Sequence, residues 1–472
     1  MKITNNTLKK YIPFLLMLGF VVFKIQDLFL PYFWDEAWSY VPAIKEMALK
    51  GPSLLPDSIS PDLYRGHPLL FYFLSSLWMN LWGTNSWITR LFPLIISLFF
   101  LYASFLFTKK NFNYLTAIVT LFFLMIQSVF FAQSTFLLPE ILLALFTVLS
   151  LKSYLDKKYI STVIWLTFAL YTKESAIVIW GVITFFRSVE IYKTSGVSII
   201  EKSKRLFLFL LPLILIFIFF LVQKLMVGWY FFPEHLSYLD PEEFVGRLSG
   251  YSSYLFIFMG RNLLTFFGLI AMIWLIIKKD SQLKEKQRPL LILCFFVVSY
   301  LLFSSANFYS PRYLLSILPF VIIIWVYFLV RVTEKYHKAF AMLLFIVIAA
   351  NNIHFTLNKR GGNDHTIGYR DLISVHSGII EYCEKLEIHD NTIYTHFLMY
   401  NNLTNPDLGY LSKDKGVFTN VQNKFTDETE FAIISSNELD KNAYETIKKN
   451  GLRMKRFEQN GSWSELYRTE NH

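Results

Sequence analysis

The sequence predicts an α-helical membrane protein that crosses the bilayer about eleven times and ends in a small soluble α/β domain. Hydrophobic residues make up 54% of its 472 residues and charged residues only 17%, against about 25% charged residues in soluble domains. Long apolar runs alternate with short Lys and Arg clusters, the pattern expected of crossings that are separated by basic cytoplasmic loops. We therefore predict a membrane domain over residues 1–355 and a soluble domain over residues 356–472.

The first crossing is predicted at residues 11–30, an apolar run long enough to span the bilayer. Three lysines before it place the N-terminus in the cytoplasm, so that residues 31–88 form an external segment. Within this segment the apolar run 67–82 has only about 16 residues, fewer than the roughly 20 that a crossing needs. We predict that this run forms a helix lying along the membrane interface.

Ten further crossings follow, and every cytoplasmic loop between them is basic. Their approximate bounds are 90–107, 113–131, 138–155, a two-helix hairpin with its tip at residues 172–174, 206–226, 254–277, 289–305, 312–330 and 338–355. Residues 227–253 form a second external loop. If the run 67–82 were a crossing, Lys109 and Lys110 would lie outside, against the charge rule. This topology predicts that His472 lies outside the cell.

The C-terminal region, residues 356–472, has a higher charge density and shorter apolar runs. Three short strands are predicted at 391–396, 430–435 and 463–468, and a helix at 369–386. The region contains no nucleotide-binding loop and no nucleophile elbow. We expect it to have a structural role or to dock the acceptor.

Four short polar motifs stand at the mouths of predicted helices, and the topology places all four on the external face. They are Asp35-Glu36, Pro139-Glu140, Lys173-Glu174 and Arg312-Tyr313. Ionisable groups are costly to hold beside lipid, and they usually mark a functional site. The four motifs are therefore predicted to form one external site.

External carboxylates and cations beside a membrane suit sugar transfer from a polyprenyl-phosphate donor. The acceptor hydroxyl needs a carboxylate base, and the leaving lipid phosphate needs an Arg or a Lys. The sequence has no G-x-G-x-x-G motif opening a helix and no P-loop, which this chemistry does not require. The net charge of +10 is explained by the basic cytoplasmic loops, so no nucleic-acid partner is expected.

The ordered set of motifs, together with His67-Pro68-Leu69-Leu70, resembles the GT-C membrane glycosyltransferases over about residues 11–355. It is most similar to glycosyltransferase family 39, the protein O-mannosyltransferases, and to the related aminoarabinose transferases of lipid A. The resemblance implies that Asp35, with Glu36 beside it, is the general base. It also implies that Arg312 and Lys173 hold the donor phosphate.

Further residues are expected to bind the substrates: His67, Glu140, Glu174 and Tyr313 of these motifs, and Arg65 just before His67. The sequence departs from the family where Leu69 replaces a second proline. It also has only residues 227–253 where protein O-mannosyltransferases usually carry sugar-binding repeats. The layout with a soluble C-terminal domain is closer to the aminoarabinose transferases.

Each motif also has a structural interpretation. The pair Asp35-Glu36 could cap a helix, and Pro-Glu is a usual helix start. Lys173 and Glu174 could pair with each other, Arg312 could reach lipid headgroups, and His67 could be only an interfacial histidine. A divalent metal could bind external carboxylates and His67, but no helix carries a recognisable ligand spacing, so no metal site is assigned.

The expected partners are a polyprenyl-phosphate sugar donor, a lipid, glycan or protein acceptor, and membrane lipids. The expected location is the inner or plasma membrane, with the site and the C-terminal domain extracytoplasmic. The alternatives are a polymerase or ligase of lipid-linked glycans, a flippase or transporter of lipid-linked sugars, and a non-catalytic assembly or sensor protein. A transporter would usually show repeats and helices broken near the membrane midplane.

Overall fold

The computed structural model describes residues 5–238, 240–334, 338–358, 361–437 and 440–469. Most of these residues are helical, and a small sheet lies near the C-terminus. Six helical segments are long and apolar enough to cross a membrane: Lys9–Phe29, Ser86–Asn111, Glu174–Lys193, Ile199–Val227, Ser281–Ser305 and Ala341–Asn358. Four shorter apolar helices accompany them. The chain is a multi-pass membrane protein.

The first three polar motifs lie between the helices of the first half or at their ends. These helices are α1 (Asn5–Lys24), α2 (Val41–Lys50), α3 (Pro61–Tyr64), α4 (Leu70–Trp82), α5 (Ser86–Asn111), α6 (Tyr114–Met125), α7 (Ser128–Gln133), α8 (Glu140–Leu155), α9 (Tyr159–Thr172) and α10 (Ile177–Lys193). The 13 residues of α4 rise only about 20 Å, less than the roughly 30 Å of a bilayer core. Its length therefore agrees with the predicted interfacial helix.

The helices of the second half complete the bundle and lead into the C-terminal region. They are α11 (Ile199–Val227), α12 (Pro233–Ser237), α13 (Phe244–Phe256), α14 (Asn262–Ile277), α15 (Ser281–Ser305), α16 (Leu318–Thr333), α17 (Lys338–Asn358), α18 (Tyr369–Lys385), α19 (Phe397–Thr404) and α20 (Lys441–Asn450). Every predicted crossing overlaps a helix, but the predicted crossing 113–131 is divided between α6 and α7. The number of crossings stays a prediction, because several of these helices are short.

The predicted helix 254–277 is wrong in its first part, because the structure breaks it between α13 and α14. Met259 and Gly260 have positive φ angles of 56° and 75°. A Cβ atom on Gly260 would lie 2.5 Å from the Cα of Asn352 in α17, so only glycine fits this approach. Side chains of α17 satisfy the turn: Asn351 donates to the Gly260 carbonyl at 2.9 Å, and Asn352 donates to the Met259 carbonyl at 2.9 Å.

The C-terminal sheet has five strands in the order β2-β1-β3-β5-β4. They are β1 (Ile393–Tyr394), β2 (Val421–Gln422), β3 (Phe431–Ser435), β4 (Gly451–Gln459) and β5 (Ser462–Thr469). β1 is parallel to β2 and β3, whereas β5 is antiparallel to β3 and β4. The three predicted strands and the helix α18 are confirmed, and β2 and β4 were missed.

The C-terminal region contacts the end of α1 through a buried polar clamp of Lys24, Asp27, Tyr369 and Arg370. Lys24 and Asp27 form an ion pair with side chains 0% and 1% exposed. Arg370 donates to Asp27 at 2.7 Å, and the Tyr369 hydroxyl donates to it at 2.5 Å. The topology predicts that His472 lies outside the cell, but this residue is not among the described residues.

Candidate active site

Arg312 lies at the centre of the site, in a short 3₁₀ turn (Pro311–Ser316) that leads into α16. Its side chain is only 7% exposed, yet three carboxylates face its three nitrogen atoms. Asp35 contacts Nη2, Asp364 contacts Nη1, and Oε1 of Glu140 lies 3.5 Å from Nε. Each nitrogen of the guanidinium thus faces an acid, although Nε makes no hydrogen bond among the described residues.

Lys173 adds a second cation, at the point where α9 ends. Its ammonium donates to Oε1 of Glu140 at 2.9 Å and lies 3.9 Å from the centre of the Tyr313 ring, a cation–π distance. Glu140 opens α8 and is buried, and its Oε2 atom has no hydrogen-bond partner among the described residues. Lys173 and Arg312 therefore share one oxygen of Glu140.

The five ionic groups Asp35, Glu140, Lys173, Arg312 and Asp364 form a connected cluster, which we call the ion cluster. Two positive and three negative groups give it a formal net charge of −1. Four of them come from the four predicted motifs, which the structure brings together. The fifth, Asp364, comes from the loop 361–368 between α17 and α18.

Asp35 and its neighbour Glu36 have different surroundings. Asp35 keeps a side chain that is 20% exposed and accepts a hydrogen bond from the Trp38 indole at 2.9 Å. Glu36 is fully buried: it accepts from Arg90 at 2.8 Å and from the backbone N–H groups of Phe33 at 3.1 Å and Leu137 at 2.7 Å. Glu36 therefore lies outside the ion cluster and ties its segment to the bundle.

Arg90, near the start of α5, is the partner of Glu36 and makes further hydrogen bonds. Besides Glu36, it donates to the carbonyl oxygens of Pro31 at 2.8 Å and Thr135 at 3.2 Å. These bonds hold the backbone just before the first motif and just before the second. Trp34, just before Asp35, has a φ angle of 54°, an uncommon conformation for a bulky residue that needs such support.

A cavity of about 330 Å³ opens beside Lys173 and Tyr313. His67 and Glu174 line it, and Nδ1 of His67 lies 3.1 Å from a Glu174 oxygen. His235 of α12 also lines the cavity, with its ring centre 5.0 Å from that of His67. Burial, and next the neighbouring His67, lower the pKa of His235 to about 4, so that its ring is neutral near pH 7.

Arg65 stands at the rim of this region and contacts an aromatic face. Its guanidinium lies 4.3 Å from the centre of the Trp38 ring, and one of its nitrogens is 3.5 Å from a Glu234 oxygen. Through Trp38 it adjoins Asp35. Of the nine residues predicted for the site, all except Glu36 thus belong to the ion cluster or adjoin it.

The sequence interpretation missed three residues of this region, Arg90, Asp364 and His235. Arg90 could have been found, because a lone arginine at the start of an apolar run is a recognisable signal. Asp364 stands in a polar run directly after the last crossing, with no distinguishing pattern. In the part of the chain that the structure describes, no group of three or more His, Cys, Asp or Glu side chains is arranged to hold a metal ion.

No protein-family model matches the chain, and no curated protein matches its sequence. Solved structures do match its fold. ArnT from Cupriavidus metallidurans, bound to undecaprenyl phosphate, matches with a TM-score of 0.56 and 14% identity, over 99% of this chain and 98% of that one. AglB, the oligosaccharyltransferase of Archaeoglobus fulgidus, matches with a TM-score of 0.51 and 11% identity, over 98% and 74%.

The arabinofuranosyltransferase AftD from Mycobacteria also matches, with a TM-score of 0.50 and 11% identity. The match covers 97% of this chain but only 40% of AftD. All three proteins are GT-C glycosyltransferases, and the chain has the GT-C fold. At these identities the likeness concerns the fold.

Proposed function

We propose that this protein transfers a sugar from a polyprenyl-phosphate donor to an acceptor hydroxyl at the membrane surface. The observation that carries the proposal is the ion cluster: a buried arginine and a buried lysine meet three carboxylates beside a cavity, at the mouths of membrane helices. The solved ArnT and AglB structures with this fold contain undecaprenyl phosphate and a dolichol-phosphate, ligands of the class that the proposal requires.

In the proposed reaction the cations act on the donor phosphate. The planar guanidinium of Arg312 can hold a phosphodiester with two parallel hydrogen bonds, and Lys173 adds a point charge. As the bond between the anomeric carbon and the phosphate oxygen breaks, negative charge grows on the lipid phosphate. Donors fixed in place before the reaction stabilise this charge without reorganising.

Asp35 is the proposed general base, which takes the proton of the acceptor hydroxyl as that oxygen attacks the anomeric carbon. Its partial exposure leaves it accessible, and the Trp38 indole orients its carboxylate. Glu36 is proposed as a positioning residue, because its hydrogen bond with Arg90 fixes the segment that carries Asp35. His67, Glu174, Tyr313 and Arg65 are proposed to contact the sugar or the acceptor from the cavity wall and its rim.

The size of the cavity favours a single sugar over a long glycan. About 330 Å³ is at the lower end of the usual range of small-molecule sites, roughly 300–1,000 Å³. A polymerase or ligase of lipid-linked glycans would need a longer groove. We further propose that the site faces the extracytoplasmic side of the cell membrane, because the basic loops are predicted to face the cytoplasm.

The proposal is tested with the purified protein in lipid nanodiscs, by measuring release of polyprenyl phosphate from radiolabelled polyprenyl-phosphate sugars. Asp35→Asn should lower turnover about 100-fold or more, the usual size of a general-base effect, with donor affinity little changed. Mass spectrometry of envelope glycolipids and glycoproteins, with and without the protein, would identify the acceptor. Wild-type turnover in the double variant Asp35→Asn/Glu36→Gln would refute the mechanism.

A further inference from the structure

The loop 361–368 places the carboxylate of Asp364 on Nη1 of Arg312. We propose that this carboxylate occupies the subsite of the donor phosphate, and that the donor binds by displacing Asp364 from Arg312. The inference rests on the proposed function, and it assigns to Asp364 the role of an internal competitor. In each binding event the loop then moves away from the position in which Asp364 contacts Arg312.

The first argument is that each nitrogen of Arg312 faces a carboxylate, and that both terminal nitrogens are bound by one. Asp35 contacts Nη2, Asp364 contacts Nη1, and a Glu140 oxygen lies 3.5 Å from Nε. A phosphodiester that binds an arginine through two parallel hydrogen bonds needs two adjacent N–H groups. Because the guanidinium is buried, the phosphate can reach such a pair only after one carboxylate has moved away.

The second argument identifies the carboxylate that moves. Glu140 is fixed in the first turn of α8 and is held by Lys173 at 2.9 Å. Asp35 is held by Trp38 and is followed by Glu36, which is locked to Arg90. The loop of Asp364 contains no helix or strand between residues 361 and 368, so it can move without breaking a regular element.

The attachment of this loop also differs from that of the other two carboxylates. Its main anchor at this position is a hydrogen bond from the Gln133 side chain to the backbone carbonyl of Asp364, 2.7 Å long. Besides Arg312, the carboxylate has a second ionic contact among the described residues, with Nδ1 of His365 at 3.5 Å. Displacing the side chain breaks its contacts with Arg312 and His365, as many as Asp35 or Glu140 would lose, but it disturbs no helix and no strand.

The third argument is the charge balance of the ion cluster, which is −1 with Asp364 in place. A phosphodiester added to the intact cluster would raise the buried charge to −2, which is costly. Exchange of one monoanion for another leaves the cluster at −1. Burial by itself would raise the pKa of Asp364, but Arg312 and His365 together outweigh it and hold the pKa at about 2. Asp364 is thus an anion near neutral pH.

The test compares the wild type with Asp364→Asn and with the control Asp414→Asn, which removes an acidic charge from an exposed position. The full chain in nanodiscs is titrated with undecaprenyl phosphate and, separately, with undecaprenol, which lacks the phosphate. Asp364→Asn should bind undecaprenyl phosphate about tenfold more tightly, as expected if the open site is populated at roughly one tenth in the wild type. Undecaprenol affinity and the control should not change.

If Asp364→Asn binds undecaprenyl phosphate no more tightly than the wild type does, the inference is overturned. The proposed function still stands in that case, provided that the wild type itself binds undecaprenyl phosphate. If the wild type binds undecaprenyl phosphate no better than undecaprenol, both fall. A second measurement needs no variant: saturating undecaprenyl phosphate should increase hydrogen–deuterium exchange in the 361–368 segment of the wild type. Unchanged or reduced exchange there would also overturn the inference.

Discussion

Arg312 and Lys173 both contact Glu140, but they differ in how they can hold a phosphate. Arg312→Lys keeps the charge and loses the planar fork, and Arg312→Ala loses both. We expect kcat/KM to fall in that order, with the Ala variant losing about 2–4 kcal/mol of transition-state stabilisation, the scale of one preorganised donor. Lys173→Ala should give a smaller loss. Steady-state kinetics in detergent, normalised to folded protein, measure this series.

A purely structural role of Arg312 at the lipid headgroups would give a different pattern. Lysine would then substitute fully, because it reaches headgroups as well as arginine does. The Ala variant would lower the yield of folded protein and leave turnover per folded molecule unchanged.

Glu36 and Asp35 are adjacent, and their variants should separate stability from catalysis. Glu36→Gln leaves the buried guanidinium of Arg90 without its carboxylate, and breaking a buried pair in this way costs about 3–5 kcal/mol. We therefore expect a clearly lower thermal unfolding midpoint for Glu36→Gln, and a wild-type midpoint with lost turnover for Asp35→Asn. A stable Glu36→Gln protein with turnover reduced 100-fold would instead identify Glu36 as the base.

At this scale the sequence predicts the residues at helix mouths and misses the partners that tertiary contacts supply. Asp35, Glu140, Lys173 and Arg312 were identifiable because a charge at the end of an apolar run needs a reason. Asp364 and Arg90 lie 52 and 54 residues from the partners that define their roles. Nothing in a local pattern specifies such a pairing.

The turn between α13 and α14 gives a prediction at the scale of elements. Gly260→Ala should destabilise the protein, because its Cβ would meet the backbone of Asn352 and its φ angle is positive. Gly246→Ala in α13 is the matched control, since nothing lies within 4 Å of its Cβ position and its φ is not positive. Alanine there should be neutral or slightly stabilising. The thermal unfolding midpoints of both variants test this prediction. Equal midpoints would contradict a stabilising role for the close approach of Gly260 to Asn352.

The same turn explains which elements the sequence could predict. Apolar runs predict the helices because burial in lipid requires them. The break at Gly260 depends on Asn351, 91 residues further along the chain, so the apolar run alone predicts one continuous helix. β4 was missed because its side chains are half-buried or exposed. Its hairpin with β5 is nevertheless signalled by Asn460-Gly461, which adopts positive φ at both residues.

At the scale of the whole molecule, the topology is the main prediction. In a Cys294→Ser background, which removes the exposed native cysteine and keeps the buried Cys383, a cysteine is placed at Lys158 or at Asp414. We expect Lys158→Cys to resist an impermeant thiol reagent in intact cells and Asp414→Cys to react. The opposite labelling pattern would contradict the predicted orientation of the protein in the membrane. We also propose residues 1–355 as the membrane catalytic domain and 356–472 as the extracytoplasmic domain.

The polar clamp between α1 and α18 has a consequence for the synthesis of this protein. Asp27 and Tyr369 are 342 residues apart, so at about 5–20 residues per second the ribosome adds Tyr369 roughly 20–70 s after Asp27. During that interval the first helix holds an ion pair at its end without the tyrosine and arginine that later enclose it. Lys24, three residues from Asp27, is the only clamp partner that is made together with it. The nascent first helix therefore carries its own counterion until its final partners emerge.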